Sequence, residues 1–373
     1  MHITALAGGV GGARFIRGLR HHLDTTPGLE DSTVTVIANT GDDITLFGLR
    51  VCPDVDTLLY TLGDGVHEGQ GWGRADESHR VQAELAAYGA VPQWFALGDL
   101  DTLLYTLGGG IDEQQGWGRA DETHSVSAEL ASLGAQPQWF GLGDKDIATH
   151  VYRSQLLGQG VPLSEVVGRL ADRWGLPGQG VTLLPMTDTP VETHVVVDDG
   201  EGGERAIHFQ EWWVRHRAAL PARRFVVAGL DRATPAPGVL DAVRGADVVL
   251  LPPSNPVVSI GIVLGVPGVR DALRGTRAPV VGVSPLVGGR PVRGHADECL
   301  RTIGVDSTSE AVAGLYADFL DGWLVDEVDP MRERPGLRLE RRPLLMSSVD
   351  AAADLAGAAL EVALDLRRQR ATA

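Results

Sequence analysis

Four glycines within five residues form the first feature of the chain that could do chemistry. Gly8, Gly9, Gly11 and Gly12 follow a short apolar run and precede residues 13–23, where apolar side chains recur at helical spacing. Glycine lets the backbone approach a phosphate closely, and the N–H groups at a helix start carry partial positive charge. The pattern predicts a strand, a phosphate-binding turn and a helix. A glycine turn that only connects strand to helix is the alternative.

The details of this loop match neither of the two common nucleotide motifs. Arg14 stands where the dinucleotide fingerprint has its third glycine, and no P-loop lysine follows. We therefore expect a related loop, in which Gly9, Gly11, Gly12 and Arg14 hold the phosphates of a bound nucleotide.

Carboxylates follow the next predicted strand, residues 34–39. Asn39 ends that strand, and four acidic side chains lie within the following residues: Asp42, Asp43, Asp54 and Asp56. Oxygen ligands beside a phosphate loop are typical of a magnesium site, so we predict that Asp43 and Asp56 bind Mg²⁺ and act in catalysis, with Asn39 near the donor. Helix capping and Asx turns are the alternative, above all for Asp54, and Asp56 is expected to cap a helix that begins at Thr57.

A second polar turn follows a fully apolar strand at residues 246–251. Ser254, Asn255 and Ser259 lie in a proline-framed loop at the carboxyl end of that strand, where ligands bind in open α/β sheets. These hydroxyl and amide groups are predicted to bind the phosphate or ribose of the same nucleotide.

Residues 144–153 are dense in hydrogen-bonding groups and are predicted to face a second substrate. The side chains expected to contact it are Lys145, Asp146, Thr149 and His150. A structural role for a lone histidine near a helix start is the alternative. The tryptophans of residues 209–213 could stack on a flat ring, but a place in the core is favoured.

The composition narrows the class of protein. The formal net charge of -17 argues against general binding to nucleic acid or to an anionic membrane. Cys52 and Cys299 belong to no Cys-x-x-Cys motif and have no histidine-rich partner segment, which argues against a zinc site or a disulfide framework. With no signal-peptide pattern and no long apolar span, the protein is expected to be cytoplasmic.

Alternating strand and helix patterns predict an α/β protein with a Rossmann-like three-layer fold and a mostly parallel central sheet. Residues 1–55 and 225–373 are assigned to a nucleotide-binding core. Residues 56–224 are assigned to a smaller inserted helical and β region that binds the second substrate. The helix predicted from Ala351 would either close the core or pack a dimer.

A tandem duplication interrupts the inserted region. Residues 56–100 and 101–145 are about three-quarters identical, and each contains the segments Asp-Thr-Leu-Leu-Tyr-Thr-Leu-Gly and Gly-Trp-Gly-Arg-Ala-Asp-Glu. Two copies are too few for a solenoid, so one copy should fill a place in the domain while the other is an insertion. The sequence does not show which, and deletion of residues 57–101 is expected to keep the fold.

The motifs, taken in order, resemble the 2-phospho-L-lactate transferase family of coenzyme F420 biosynthesis. The segments that carry the resemblance start at Gly8 (Gly-Gly-Val-Gly-Gly-Ala-Arg), Asn39 (Asn-Thr-Gly-Asp-Asp), Cys52 (Cys-Pro-Asp-Val-Asp-Thr), Leu142 (Leu-Gly-Asp-Lys-Asp-Ile-Ala-Thr-His), Leu184 (Leu-Pro-Met-Thr-Asp), Phe209 (Phe-Gln-Glu-Trp-Trp), Pro253 (Pro-Ser-Asn-Pro-Val-Val-Ser-Ile-Gly) and Ser284 (Ser-Pro-Leu-Val-Gly-Gly). The resemblance implies transfer of a phosphoenolpyruvyl or 2-phospholactyl group from a guanosine-diphosphate-linked donor to the ribityl hydroxyl of the deazaflavin FO. The products would be GMP and coenzyme F420-0 or its dehydro form, with the enolpyruvyl donor expected in actinobacterial relatives. The family carries one Asp-Thr-x-x-Tyr-Thr-Leu segment where this chain has two, so either Asp56 or Asp101 could hold the family's aspartate role.

On this hypothesis the enzyme is a magnesium-dependent phosphotransferase for substituted phosphate groups and a homodimer, and Asp43 or Asp56 could take the proton of the hydroxyl. The alternatives are a non-catalytic nucleotide-binding regulator of a related family and, less well supported, a dinucleotide-dependent oxidoreductase.

Overall fold

The computed structural model describes residues 1–78, 80 and 144–372. The strands in these residues are β1 (His2–Ala7), β2 (Thr33–Ala38), β3 (Ile44–Leu46), β4 (Leu49–Val51), β5 (Val181–Pro185), β6 (Glu192–Asp198), β7 (Glu204–His208), β8 (Ala222–Ala228), β9 (Val248–Leu251), β10 (Val280–Val283), β11 (Leu286–Val287), β12 (Arg290–Pro291), β13 (Gly322–Val325) and β14 (Arg338–Arg341). The α-helices are α1 (Gly9–Thr25), α2 (Pro53–Leu62), α3 (Asp144–Gly158), α4 (Leu163–Arg173), α5 (Val239–Arg244), α6 (Ile260–Gly265), α7 (Val269–Gly275), α8 (Ala296–Thr302), α9 (Ser309–Gly314) and α10 (Val349–Thr372). Short helical turns lie at Pro177–Gln179 and Leu230–Arg232, and a π-helical turn at Glu211–Arg215.

Seven strands form a central sheet in the order β14-β13-β10-β9-β1-β2-β5, and every neighbouring pair is parallel. The chain passes from β1 to β2 on one side and returns later to β9 on the other. β1 is therefore the point where the strand order reverses, which opens a crevice at the carboxyl ends of β1, β2 and β9. The predicted α/β fold with a mostly parallel sheet is confirmed.

The two faces of the sheet are covered by separate hydrophobic cores. Alternate residues of β1 point to opposite faces, so Ile3 and Ala5 join one core and Leu6 joins the other. α1, α2, α4 and α10 cover the first face, while α5 to α9 cover the second. This gives the expected three layers, helices on both sides of a parallel sheet.

The C-terminal helix α10 closes the first core. It runs along α1, and its buried residues are mostly alanines, such as Ala356 and Ala359, which let the two helices approach closely. Of the two roles predicted for this helix, the structure shows closure of the core.

A three-stranded antiparallel sheet in the order β7-β6-β8 stands beside the central sheet, with a bulge between Val196 and Val197. β6 and β7 form a hairpin whose second strand ends at His208, and the chain then forms the π-helical turn. β8 completes this small sheet by pairing with β6.

The helix expected from Thr57 begins earlier, at Pro53. Proline is favoured in the first helical turn because its φ angle is already helical and its missing N–H needs no partner. Cys52 precedes it as the N-cap, so Asp56 lies inside the helix and does not cap it, contrary to the prediction.

The proposed division into a core and an inserted region stays a prediction. β5 and the part of α2 from Asp56 onward fall within residues 56–224, yet β5 joins the central sheet and α2 the first core. Most of the duplication, residues 79 and 81–143, lies outside the described residues. Among the helices of the described part, none has the length and apolar character to cross a lipid bilayer.

The contact between α1 and α10 can be tested at Gly18. A Cβ there would lie 2.4 Å from the backbone carbonyl carbon of Ala352, which cannot move without displacing α10. We expect Gly18→Ala to destabilise the protein by about 1–3 kcal/mol in chemical denaturation. Gly168→Ala in α4 is the matched control, because no atom lies within 4 Å of its added Cβ, and it should be neutral or stabilise by up to about 1 kcal/mol. Equal effects of the two substitutions would contradict the packing.

Candidate active site

A cleft of about 650 Å³ opens at the carboxyl ends of β1, β2, β9 and β10. The loops that follow these strands contribute Gly8, Asp42, Ser254 and Pro285 to its lining. The cleft thus occupies the place where the reversal of strand order predicts a ligand site.

The glycine turn holds a carboxylate of the protein itself. The backbone N–H of Gly9 donates to Asp54, and a Cβ on Gly8 would lie 2.2 Å from Oδ2 of Asp54. Glycine is required at Gly8 because no side chain fits between the turn and this carboxylate. The start of α1, predicted to bind a phosphate directly, is therefore partly occupied by an internal anion.

The second polar turn is fastened to the first by its own hydrogen bonds. Ser254 Oγ donates to the carbonyl of Gly8 at 2.8 Å and accepts from its N–H at 3.1 Å. Asn255 Oδ1 accepts from the N–H groups of Val257 and Val258 at 2.9 and 3.1 Å. Both side chains line the cleft. The Ser254 hydroxyl holds the ends of β1 and β9 together, whereas Asn255 braces its own turn.

Two carboxylates, Asp42 and Asp54, meet at Asn39. The Nδ2 of Asn39 donates to Asp54 at 2.9 Å and to Asp42 at 3.3 Å. Gln210 donates to Asp42 at 2.9 Å, and Ser259 to Asp54 at 3.4 Å. Burial, together with the charge of Asp54, raises the pKa of Asp42 well above its usual range. Burial likewise raises the pKa of Asp54 to about 6, against the effect of its hydrogen bonds.

This pair is the best candidate for binding a divalent cation. Both carboxylates line the cleft, and within the described part of the chain neither forms an ion pair with a lysine or arginine. No group of three His, Cys, Asp or Glu side chains in residues 1–78, 80 and 144–372 is arranged to hold a metal. A magnesium ion held by one or two carboxylates and completed by substrate phosphates and water fits such a site.

Asp43 faces away from the cleft. It borders a cavity of about 40 Å³ with Arg50, whose Nε lies 3.6 Å from Oδ2 of Asp43. Burial raises the pKa of Asp43 to about 7, and Arg50 opposes this rise. Asp43 therefore lies outside the cleft that Asp56 lines, and Asp42 is the residue of the Asp42–Asp43 pair that reaches the cleft.

Asp56 joins α2 to α3 through a buried ion pair. Arg153, which is 0% exposed, donates to both carboxylate oxygens of Asp56 and to the carbonyl of Arg50. Arg153 Nη1 also lies 3.1 Å from Nδ1 of His150. Since a guanidinium only donates, Nδ1 of His150 must accept, and the ring proton lies on Nε2.

His150 therefore presents a donor, not a base. Burial lowers its pKa to about 4, so the ring is neutral near pH 7. It lines the cleft, and its Nε2 has no hydrogen-bond partner among the described residues. This N–H is suited to donate to an oxygen of a bound substrate.

Asp146 is the second cleft residue on α3. Burial raises its pKa to about 7, and the charge of Asp56 adds to this rise. A carboxyl group with a pKa near the working pH can accept a proton from a substrate hydroxyl. Thr149 is buried outside the cleft lining, and Lys145 points outward, where its Nζ donates to the carbonyl of Ala75 at 3.0 Å.

Basic and aromatic side chains form a further part of the cleft lining, called the basic wall below. Arg14, Arg217 and Arg293 line it, and atoms of Arg14 and Arg293 lie 3.1 and 3.3 Å from a Cβ placed on Gly71. Trp213 lies 5.0 Å from the ring of His295, centroid to centroid. Trp212 is buried, and its Nε1 donates to the carbonyl of Leu220. The favoured core role thus holds for Trp212, whereas Trp213 faces the cleft.

Nine of the residues predicted from the sequence line the cleft: Gly9, Gly11, Arg14, Asp56, Asp146, His150, Ser254, Asn255 and Ser259. Five do not: Gly12, Asn39, Asp43, Lys145 and Thr149. Gly12 packs against Ser254 instead. The lining residues that the prediction did not assign to the site include Asp42, Asp54, Tyr60, Trp72, Gln210, Trp213, Arg217 and Arg293. Asp42, Asp54 and Trp213 stand in motifs that the sequence analysis noted, whereas Arg217 has no local signal.

The buried ion pair is testable by removing its cation. Arg153→Met leaves the carboxylate of Asp56 buried without a partner, so we expect a loss of about 3–5 kcal/mol in the free energy of unfolding. Arg169→Met is the control, because the Arg169–Glu165 pair is exposed and should contribute less than about 1 kcal/mol. Losses of similar size in both variants would show that Asp56 does not depend on Arg153.

Comparison with known proteins agrees with this architecture. Two solved structures resemble the chain at a TM-score of 0.53: protein BH3568 from Bacillus halodurans, at 15% identity over 96% of this chain and 98% of that one, and a second structure of bh3568, described as a member of the upf0052 family, at 14% identity over 96% and 99%. Likeness at this level of identity supports the fold alone.

Relatives with much higher sequence identity are also known. The phosphoenolpyruvate transferase of Thermobifida fusca (strain YX) is 54% identical, over 99% of this chain and all of that protein. The protein of the same name from Streptomyces griseus is 49% identical, over 98% and 100%. The model of the family described as 2-phospho-L-lactate transferase CofD matches residues 3–342. With its motifs, its parallel sheet and its cleft in agreement, this chain belongs to the 2-phospho-L-lactate transferase CofD family.

Proposed function

We propose that this protein transfers a phosphoenolpyruvyl group, or the related 2-phospholactyl group, from a guanosine-diphosphate-linked donor to the ribityl hydroxyl of FO. The products are GMP and dehydro coenzyme F420-0, or F420-0 from the lactyl donor. Family membership supports a transferase of F420 biosynthesis, and the names of relatives such as those from Thermobifida fusca and Streptomyces griseus favour the enolpyruvyl donor. The observation that carries the proposal is one cleft that is lined by both carboxylates and arginines.

The donor lies along the start of α1 and the basic wall. Its diphosphate is an anion, and arginine binds phosphate oxygens through paired N–H groups. Arg14, Arg217 and Arg293 supply that charge locally in a protein whose net charge is -17. The N–H groups of the glycine turn that do not bind Asp54 add to this positive charge.

The metal proposal moves from Asp43 and Asp56 to Asp42 and Asp54. Asp42 and Asp54 would hold Mg²⁺ there, and the ion would neutralise negative charge on the diphosphate and on the departing GMP. Binding would also relieve the repulsion that Asp54 exerts on Asp42, which together with burial raises the pKa of Asp42. Asn39 sets their spacing, because its Nδ2 contacts both.

The acceptor hydroxyl lies beside α3. Asp146 accepts its proton, and His150 donates through Nε2 to an oxygen of the transferred group or of the ribityl chain. Asp56 is held by Arg153. Its role in this proposal is therefore to position Asp146 and His150, not to act as the base. Phe209 and Trp213, whose ring centroids are 5.2 Å apart, give a flat apolar surface for one of the substrate rings.

The direct test is a transfer assay on the purified full-length protein with FO, enolpyruvyl-diphosphoguanosine and Mg²⁺. Formation of GMP together with phosphorylated deazaflavin, followed by mass spectrometry and abolished by EDTA, is the expected result. If no product forms although guanine nucleotide binds, the chain is a nucleotide-binding regulator and the proposal fails.

The position of the metal can be tested separately. We expect Asp42→Asn and Asp54→Asn each to raise the Mg²⁺ concentration for half-maximal rate at least about tenfold, because each removes a ligand. Asp43→Asn, adjacent in sequence but paired with Arg50, should leave that concentration unchanged. A shift in Asp43→Asn alone would return the metal to Asp43.

A further inference from the structure

The duplication gives the chain two candidates for several residues near the cleft. Residues 56–78 of the first copy have counterparts of nearly the same sequence at residues 101–123. The structure describes the first set and the end of the second copy from Asp144 onward. Their contacts show which copy serves the cleft.

The first copy supplies the cleft residues on its own side. Asp56 is bound by Arg153, and Tyr60 and Trp72 line the cleft. Arg74 stacks on the rings of Tyr60 and Trp174, with its guanidinium carbon 5.8 and 5.0 Å from their centroids. Each of these places in the site is therefore filled by a residue of the first copy.

The same copy also holds the start of α3. Glu77 accepts from the N–H of Lys145 through Oε2 and from the N–H of Asp146 through Oε1, both at 2.9 Å. These are N–H groups of the first helical turn, which have no partner within the helix. The negative charge of Glu77 also suits the positive end of the helix dipole.

Further hydrogen bonds join the same segment of the first copy to the start of α3. The carbonyl of Ser78 accepts from the N–H of Asp144 at 2.8 Å, and Ser78 Oγ donates to the Asp144 carboxylate. Arg74 Nη1 donates to the carbonyl of Lys145 at 3.1 Å. Ser78 and Asp144 thus touch, although 65 residues separate them in the sequence.

We propose that Glu77 is the positioning residue that sets α3 against the cleft, and that residues 56–78, not residues 101–123, serve the reaction. Glu77 binds the turn of α3 that carries Asp146. The same helix carries His150 one turn later and Arg153 two turns later. Residues 79–123 are then surplus, because their removal joins Ser78 to His124 and restores a single copy with Glu77 and Asp144 in place. The inference deepens the proposed transferase function and rests on it for its activity readout.

The duplication supplies a matched control, because Glu122 is the counterpart of Glu77. In the full-length protein, Glu77→Ala should lower kcat/KM for FO by about 10- to 100-fold through displacement of Asp146 and His150. We place the guanosine-linked donor along the start of α1 and the basic wall. Its KM should therefore differ from the wild-type value by no more than about twofold, as expected for a distant substitution. Glu77→Gln, which keeps one strong acceptor, should recover part of the loss, whereas Glu122→Ala should change none of these values beyond about twofold.

The deletion of residues 79–123 should be soluble and active, and Glu77→Ala should have the same effect in that background. Equal losses in Glu77→Ala and Glu122→Ala, no loss in either, or an inactive deletion would overturn the inference. Thermal unfolding separates this result from failure of the proposed function. If the wild type transfers nothing to FO, a lower Tm for Glu77→Ala than for Glu122→Ala still supports the assignment of copies, and equal values still reject it.

Discussion

A carboxylate buried at the start of a helix is the constraint on which the site depends. Asp54 reaches under the glycine turn and binds the N–H of Gly9, and it is held by Asn39 and Ser259. These partners come from the turn after β1, the end of β2 and the loop between β9 and α6, and Asp54 itself belongs to α2. Since an unpaired buried carboxylate is costly, the four segments must meet around Asp54. The cleft is the space that remains between these segments.

The same contact accounts for the composition of the glycine turn. A loop of this kind usually suggests close approach of a ligand, yet here Gly8 is required by Asp54 and Gly12 by Ser254. Glycine is needed wherever backbone must approach another group closely, and that group can belong to the protein. Negative charge at this helix start also suits the cation that we propose between the protein and a donor phosphate.

A second buried charge, Arg153, couples the acceptor side to the rest of the site. It binds Asp56 of α2 and fixes His150 of α3 as a donor, so the two helices cannot shift independently without separating buried charges. Glu77 holds the beginning of the same helix. The acceptor side is thus fixed at two points along α3, whereas the donor side depends on the ends of the central strands.

The sequence by itself determined the parallel α/β fold, the family and the segments that form the cleft. Strand and helix periodicity are local properties, and the motifs follow the strands in chain order. It did not determine which side chains of those segments meet. Asp42 and Asp43 are adjacent, but one faces Asp54 and the other Arg50, because the direction of each side chain depends on the path of the loop.

The sequence makes Asp56 a candidate metal ligand, whereas in the structure Arg153, 97 residues away, donates to its carboxylate. Arg217 lines the cleft with a positive φ angle of 47°, for which the sequence around it gives no signal. The choice between two nearly identical copies is likewise absent from the sequence, because their local patterns are the same. Only the tertiary structure decided the first two points, since the free energy that separates a ligand from an ion-pair partner comes from groups brought together across the fold. The contacts of residues 56–78 carry the choice of copy that we propose.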